Sequence, residues 1–315
     1  MDIIFFQTLT VTFIFQRLFL QYRRSKFHYF FYLLIFAVFI IIILNSFAYF
    51  YHNPFLIKNT SIATDNDFSK CKLCNFTPVN LPNSSGRDAV FTMLTKFGPG
   101  SERLIRSLRT TGSKAKIFIF TPEGVLLPDW VFECGVRQVF MGPMTSRTKK
   151  SPYKIRWEWY YEFLKENVND FDRILHTDAF DAFFFGDPFA FAPDKSALYF
   201  QMEDKPIRDC PYNKKWVLAC HFDMNRYALL YQTIACSGSL LGGAQSFLQF
   251  TEILVTHREW ALCWGKGFDQ GDFNYVLYND LPYTNITQHF MDCNSGFMTY
   301  NYCVNEKRMF NENSQ

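Results

Sequence analysis

Charge is sparse and almost balanced: Lys, Arg, Asp and Glu make up 19% of the 315-residue chain, and the formal net charge is +3 at pH 7. That leaves no basic surplus for a nucleic-acid backbone. Glycine and proline are few, at 15 and 13, which excludes collagen-like and linker-type chains. No repeat recurs at solenoid spacing. One Cys-x-x-Cys pair, Cys71 and Cys74, has no second such pair or spaced His pair to complete a zinc site. It reads as a stalk disulfide or as plain thiols. What the sequence does hold is apolar mass. Hydrophobic residues reach 49%, ample for a sizeable core, so most of the chain is not disordered. An aromatic share of 19%, with 38 Phe, suggests that part of this surplus sits in a membrane. The mean hydropathy of -0.08 excludes a polytopic protein.

The surplus concentrates early. Residues 29–51 carry no charge and exceed the roughly 20 residues that cross a bilayer as a helix. Arg17, Arg23, Arg24 and Lys26 precede this run, whereas no basic residue follows it until Lys58. The positive-inside rule then places the N-terminus in the cytosol, giving a single-pass type II protein anchored in the lipid bilayer by one helix. A cleaved signal peptide fits less well, because its apolar region spans only about 7–15 residues. The shorter apolar stretch Ile3 to Phe15 reads as a segment lying on the membrane surface. Against Asp2 the tail is +3, so the 264 residues beyond Tyr51 sum to zero. All nine cysteines follow the span, in the compartment this topology makes oxidising. Four Asn-x-Ser/Thr sequons, at Asn59, Asn75, Asn83 and Asn285, agree with a secretory-pathway lumen. The expected organisation is a cytosolic tail (1–28), a transmembrane signal-anchor (29–51), a glycosylated stalk (52–86) and a catalytic domain (87–315).

From Arg87 onward, buried-strand patterns alternate with helical ones. Residues 89–94, 115–120, 136–140 and 172–176 read as strands, while 101–111 and 152–167 read as helices. The alternation implies βαβ units and a mainly parallel sheet, an α/β fold. Ligands of such sheets bind beyond the carboxyl ends of the strands. At one such end the sequence runs Leu175-His176-Thr177-Asp178-Ala179-Phe180-Asp181, followed by Phe183-Phe184-Phe185-Gly186-Asp187-Pro188-Phe189. Two carboxylates three residues apart offer hard oxygen donors for Mn²⁺ or Mg²⁺. Read alone, such a pair more often caps a turn or a short helix.

With its surroundings, this segment resembles that of GT-A-fold glycosyltransferases of the glycogenin-like, nucleotide-diphospho-sugar transferase type. Tyr153-Lys154-Ile155-Arg156-Trp157 is similar to the Lys-containing helix that precedes their acidic strand. Ala235-Cys236-Ser237-Gly238-Ser239-Leu240-Leu241-Gly242-Gly243 is similar to the strand lining their sugar pocket, and Phe268-Asp269-Gln270-Gly271-Asp272-Phe273-Asn274 to their Asp-Gln element. The resemblance covers roughly residues 88–300. It implies a GT-A, Rossmann-like sheet and transfer of a sugar from a nucleotide-diphosphate donor to a glycan, glycoprotein or glycolipid acceptor, with Mn²⁺ or Mg²⁺ as cofactor. It also implies a Golgi or endoplasmic-reticulum membrane location with a lumenal domain. Asp178, Asp181 and His289 would be metal ligands. Thr92, Lys154, Arg156, Asp178, Ser237 and Gly238 would bind the donor, and Asp269 and Gln270 would be catalytic. Two departures stand out: the acids are Asp-x-x-Asp rather than Asp-x-Asp, and Cys236 replaces the usual Asn.

Other roles remain open for these residues. Lys154 and Arg156 suit a solvated helix face equally well, Asp269 suits an N-cap, and Gly238 suits a bulge. A non-catalytic glycan-binding or scaffolding relative is the alternative function, since fold does not fix function. A membrane-anchored phosphohydrolase lacks its expected nucleophile loop and His-rich metal set.

Overall fold

The computed structural model describes residues 35–36, 38–40, 56–57, 68–262 and 269–292. The chain divides into two compact units, Met1–Pro54 and Phe55–Gln315. Of the first, the described residues 35–36 and 38–40 are helical, with Phe36, Val38 and Phe39 exposed. The rest of the expected span lies outside the described residues, among which no helix is long and apolar enough to cross a membrane.

The second unit is α/β. Its eight strands are β1 (Leu56–Ile57), β2 (Asp88–Met93), β3 (Lys116–Thr121), β4 (Val136–Phe140), β5 (Arg173–Thr177), β6 (Leu198–Pro206), β7 (Thr233–Gly243) and β8 (Gln288–Met291). They form one sheet in the order β1-β4-β3-β2-β5-β7-β6-β8. Strands β4, β3, β2 and β5 are parallel; β7 runs antiparallel to both β5 and β6, β8 is parallel to β6, and β1 is antiparallel to β4. Helices cover both faces, which is why the central strands read as continuous apolar runs rather than alternating ones. Ala89, Phe91, Phe118 and Phe120 point to one face, against α2 (Pro152–Asn167) and α4 (Ala244–Thr256). Val90, Ile117 and Ile119 point to the other, against Leu104, Ile105 and Leu108 of α1 (Pro99–Thr110). Two further helices, α3 (Pro211–Cys220) and α5 (Asp269–Tyr275), lie beyond β6 and β7 in the chain.

Much of the phenylalanine surplus belongs to this core rather than to a membrane. The Phe91 ring lies within 5.1–6.4 Å, centroid to centroid, of Phe118, Phe120, Tyr160, Phe163, Phe171 and Phe247. Most of these are edge-to-face pairs, the arrangement that ring quadrupoles favour.

Residues 68–86, read from sequence as stalk, are tied into this unit. Cys71 forms a disulfide with Cys134, not with Cys74, and Cys74 is a free thiol. Phe68 covers the guanidinium of Arg109 at 3.9 Å. The backbone N–H groups of Asn83 and Ser84 donate to Asp187, a carboxylate with no exposed surface, each at 2.7 Å. The folded unit therefore begins before Arg87. The cause is chemical: a buried carboxylate and a buried guanidinium on the domain find their partners in this segment. Asn83 is engaged as well, its side-chain oxygen accepting from Arg173 at 3.2 Å, although it is exposed, as are the sequons at Asn75 and Asn285. Asn59 lies outside the described residues.

Candidate active site

Four stretches far apart in the chain meet where β5 ends. Thr177 closes that strand, and the next residue, Asp178, donates its N–H to the carbonyl of Gly238 on β7 at 2.9 Å. Close approach fixes the turn that follows. A Cβ on Gly100 would come within 2.1 Å of the Phe180 carbonyl oxygen, so only glycine lets the start of α1 lie against the Asp178–Asp181 loop. A Cβ on Gly238 would lie 2.5 Å from Asp178 Oδ2, so glycine there gives that carboxylate its room.

Strand β7 reaches the site through an irregularity. The pairs Phe200↔Leu240 and Met202↔Ala235 leave residues 236–239 of β7 opposite the single residue Gln201 of β6. Bulges of this kind re-aim side chains and recur beside active sites. This one carries Cys236, Ser237 and Gly238 out of the ladder.

Arg156, on α2, is the hub. Its Nη1 pairs with Asp178 Oδ1, its Nη2 reaches Asp269 Oδ2 at 2.6 Å and the Ser237 carbonyl at 3.1 Å, and its Nε reaches Asp269 Oδ2 at 3.2 Å. Burial alone would lower the pKa of Arg156, yet the facing carboxylates of Asp269 and Asp178 hold it above its ordinary value. Asp269 also accepts from Trp157 Nε1 at 2.7 Å and from Ser237 Oγ at 3.2 Å, and its side chain is 2% exposed. These contacts hold the carboxylate where it orients Arg156, while burial, opposed by the Arg156 charge, raises its pKa. Asp269 belongs to the first turn of α5 and makes no N-cap.

Lys154 is not at this site's surface. Its ammonium is wholly buried and pairs with Asp272, which His221 Nε2 approaches at 3.2 Å. Burial would raise the Asp272 pKa, but the contacts with His221 and Lys154 hold it below the ordinary value. Lys154 is therefore a staple between α2 and α5, and the expectation that it faces donor phosphates is corrected. His289 is likewise elsewhere. It pairs with Tyr199 on β6, which pairs with Leu241 on β7, itself paired with Leu175 on β5. Three strand spacings, about 14 Å, separate that row, and Asp178 is three residues further along. A shared metal ion is out of reach, and the His289 ring stacks on Tyr199 instead, at 4.7 Å.

The remaining expected residues converge or border the site. Asp178 has a third of its side chain exposed, and Asp181 lies at the exposed rim. Partial desolvation and the neighbouring charge of Asp178 raise the Asp181 pKa. Thr92, near the end of β2, is 1% exposed, with a hydroxyl that has no partner among the described residues. Gln270 accepts from Ser237 N–H at 3.2 Å and donates to Asn213 at 2.9 Å and Glu203 at 3.2 Å. Sequence reasoning assigned no role to Trp157, Asn213 or Glu203.

The donor set suits a divalent ion only when completed from outside. Among the described residues no three His, Cys, Asp or Glu side chains converge as a metal group. Two mutually repelling carboxylates are the protein's share, and a hard cation of the Mg²⁺ kind often takes one or two carboxylates and fills its shell with water and substrate phosphate. The charge balance points the same way: Asp178 and Asp269 share the guanidinium of Arg156, while Asp181, beside Asp178, has no ion pair among the described residues. No protein-family model matches this chain, and no curated protein matches it.

Proposed function

We propose that the domain is a metal-assisted glycosyltransferase, moving a sugar from a nucleotide-diphosphate donor to a glycan, glycoprotein or glycolipid acceptor. The observation that carries this reading is convergence. The segments around Arg156, Asp178, Ser237–Gly238 and Asp269–Gln270, from which the resemblance to GT-A enzymes was drawn, meet at the carboxyl end of one strand in a mainly parallel sheet. That edge is where such sheets bind ligands.

Asp178 and Asp181 would hold Mn²⁺ or Mg²⁺, which when bound neutralises charge on the departing diphosphate. Arg156 keeps Asp178 in position and adds a fixed positive charge beside it. Asp269, Trp157 and Ser237 fix Arg156 in turn, so the site needs little reorganisation during reaction. Neither the buried Thr92 hydroxyl nor the face of Gly238 that Asp178 fills is open to the donor. The disulfide Cys71–Cys134 suits an oxidising compartment. Together with the uncharged run 29–51, it supports a single-pass type II protein of the Golgi or endoplasmic-reticulum membrane with this domain in the lumen. One observation favours the alternative of a non-catalytic glycan-binding relative: the Arg156 pair occupies one oxygen of a ligand carboxylate.

The test is nucleotide release from UDP, GDP and CMP sugars with Mn²⁺, by the parent and by Asp178→Asn and Asp181→Asn. Each variant is expected to lose about 10²–10³ in rate, the usual cost of one charge-stabilising contact in a catalytic site, with Asp181→Asn keeping the parent's melting temperature and Asp178→Asn, which loses its pair with Arg156, melting lower but cooperatively. Normal turnover by both variants, or a parent indifferent to chelator, would sink the metal-assisted mechanism.

A further inference from the structure

A strip of exposed phenylalanine takes no part in the site. Phe183 and Phe185, in the loop that follows Asp181, keep 38% and 41% of their surface open to solvent, whereas Phe184 between them is buried. One face of this stretch packs on the core, and the outward face is apolar too. The rings of Phe183 and Phe185 lie 4.7 Å apart, and Phe76 completes the cluster at 5.4 Å from Phe183 and 6.0 Å from Phe185. Single apolar side chains are ordinary on a surface, but three rings in contact mark a surface that something covers.

The chain supplies the attachment point for a cover. Phe76 is the middle residue of the sequon Asn75-Phe76-Thr77, and both Asn75 and Thr77 are exposed. This segment is held against the loop. Val79 N–H donates to the Phe185 carbonyl at 2.9 Å, and Asn80 exchanges two hydrogen bonds with the Asp187 backbone, at 2.7 and 3.2 Å. A sugar joined to Asn75 is thus one residue along the chain from the ring cluster, at the high effective concentration that a covalent link provides. One face of N-acetylglucosamine is lined by C–H groups, which the negative π-face of an aromatic ring attracts. The other sequons lack this setting: the middle residue of Asn285-Ile286-Thr287 is buried in the core, and Asn83 is engaged by Arg173.

We infer that Asn75 carries an N-linked glycan whose first sugars lie on the rings of Phe76, Phe183 and Phe185. This rests on the lumenal location proposed above, not on the transferase chemistry. The co-reactant is an oligosaccharide diphospho-lipid of the secretory pathway. The Asn75 amide nitrogen bonds to its anomeric carbon and gives up a proton to solvent; the bond from that carbon to the diphosphate oxygen breaks, and the lipid diphosphate leaves with the electron pair. Seated on the rings, the glycan replaces water over apolar surface and braces the loop that follows Asp181. A bilayer or a second copy of the chain would need the same rings bare, so occupancy of Asn75 separates the possible occupants.

The experiment expresses the full chain in cultured eukaryotic cells and maps its sequons by peptide mass spectrometry, with occupancy expected at Asn75. Thr77→Ala, which removes the sequon but keeps Asn75, and Asn75→Gln are compared with the parent, each also in a Phe183→Ala/Phe185→Ala background. Loss of the glycan should lower the melting temperature by about 2–4 °C in the parent and by much less without the two rings. Thr77→Ser, which keeps the sequon, should melt as the parent does. Under native conditions a peptide N-glycosidase should release the Asn75 glycan about 2–10-fold more slowly from the parent than from Phe183→Ala/Phe185→Ala. Equal release rates, an unchanged melting temperature in Thr77→Ala, or a shift that is the same with and without the rings would overturn the assignment. A bare Asn75 beside an occupied Asn285 would do so too, leaving the strip to a bilayer or a second copy. No glycan at any sequon would remove the lumenal reading with it.

Discussion

The Cys71–Cys134 disulfide decides where the folded unit begins, and its removal can be put in numbers. The bond joins residues 63 apart in sequence. Closing a loop of that size in the unfolded chain costs about 14 cal/mol/K by the chain-entropy relation, or about 4 kcal/mol at 25 °C. For a domain of this size each kcal/mol moves the melting temperature by about 2–4 °C. Replacing both cysteines by serine should therefore lower it by about 8–16 °C, read by circular dichroism or calorimetry. The double variant is preferable to a reductant, because Cys220 is also disulfide-bonded. Truncation at Arg87 goes further. It removes the disulfide, the Phe68 ring over Arg109, and two hydrogen bonds to the buried Asp187 carboxylate, each worth about 1.5–3 kcal/mol. The total, about 7–10 kcal/mol, is comparable to the whole stability of an ordinary domain. A chain beginning at Arg87 should show no cooperative melt. If that chain melts within a few degrees of the parent, or the double serine variant within about 2 °C, the segment 68–86 is an ornament and the reasoning fails.

Two further outcomes follow from the site. Gly238→Ala sets a Cβ at 2.5 Å from Asp178 Oδ2; because the end of a side chain can shift, stability should fall by only about 1 kcal/mol, whereas nucleotide release should drop at least tenfold as Asp178 is displaced. Equal losses in an unfolding titration and in rate would contradict this. His176 is fully buried, and burial, aided by the Arg156 charge, holds its pKa well below the ordinary value. The unfolded chain binds a proton there that the folded chain refuses, so stability should fall as pH drops below about 6.5, by up to about 1.4 kcal/mol per pH unit. Denaturant midpoints at pH 7 and pH 5 should differ by less in His176→Gln than in the parent; identical differences would refute the assignment.

Local pattern was enough for the framework. The helix expected over 152–167 is observed at Pro152–Asn167, and the strand expected over 136–140 at Val136–Phe140. The others shift by a residue or two at their ends, because periodicity and turn residues report on short stretches of chain. Asp178, Arg156, Ser237 and Gln270 were legible as candidates for the same reason: each belongs to a short motif. What each one touches was not. Lys154 and Arg156 differ by two positions on one helix, yet one is sealed against Asp272 and the other joins Asp178 to Asp269. Only the packing of α5 against α2 separates their roles. The distance of His289 from Asp178 and the bulge that brings Ser237 to the site are properties of sheet order and register, and the pairing of Cys71 with Cys134 across 63 residues is a property of packing between segments remote in the chain. These arise when segments remote in sequence meet, and no local pattern encodes that choice. The sequence by itself determined which residue types were available for chemistry and which stretches became strand or helix; the tertiary structure alone decided which carboxylates are sealed into ion pairs and which keep an oxygen to offer, because burial and partnering depend on neighbours brought together only by the fold.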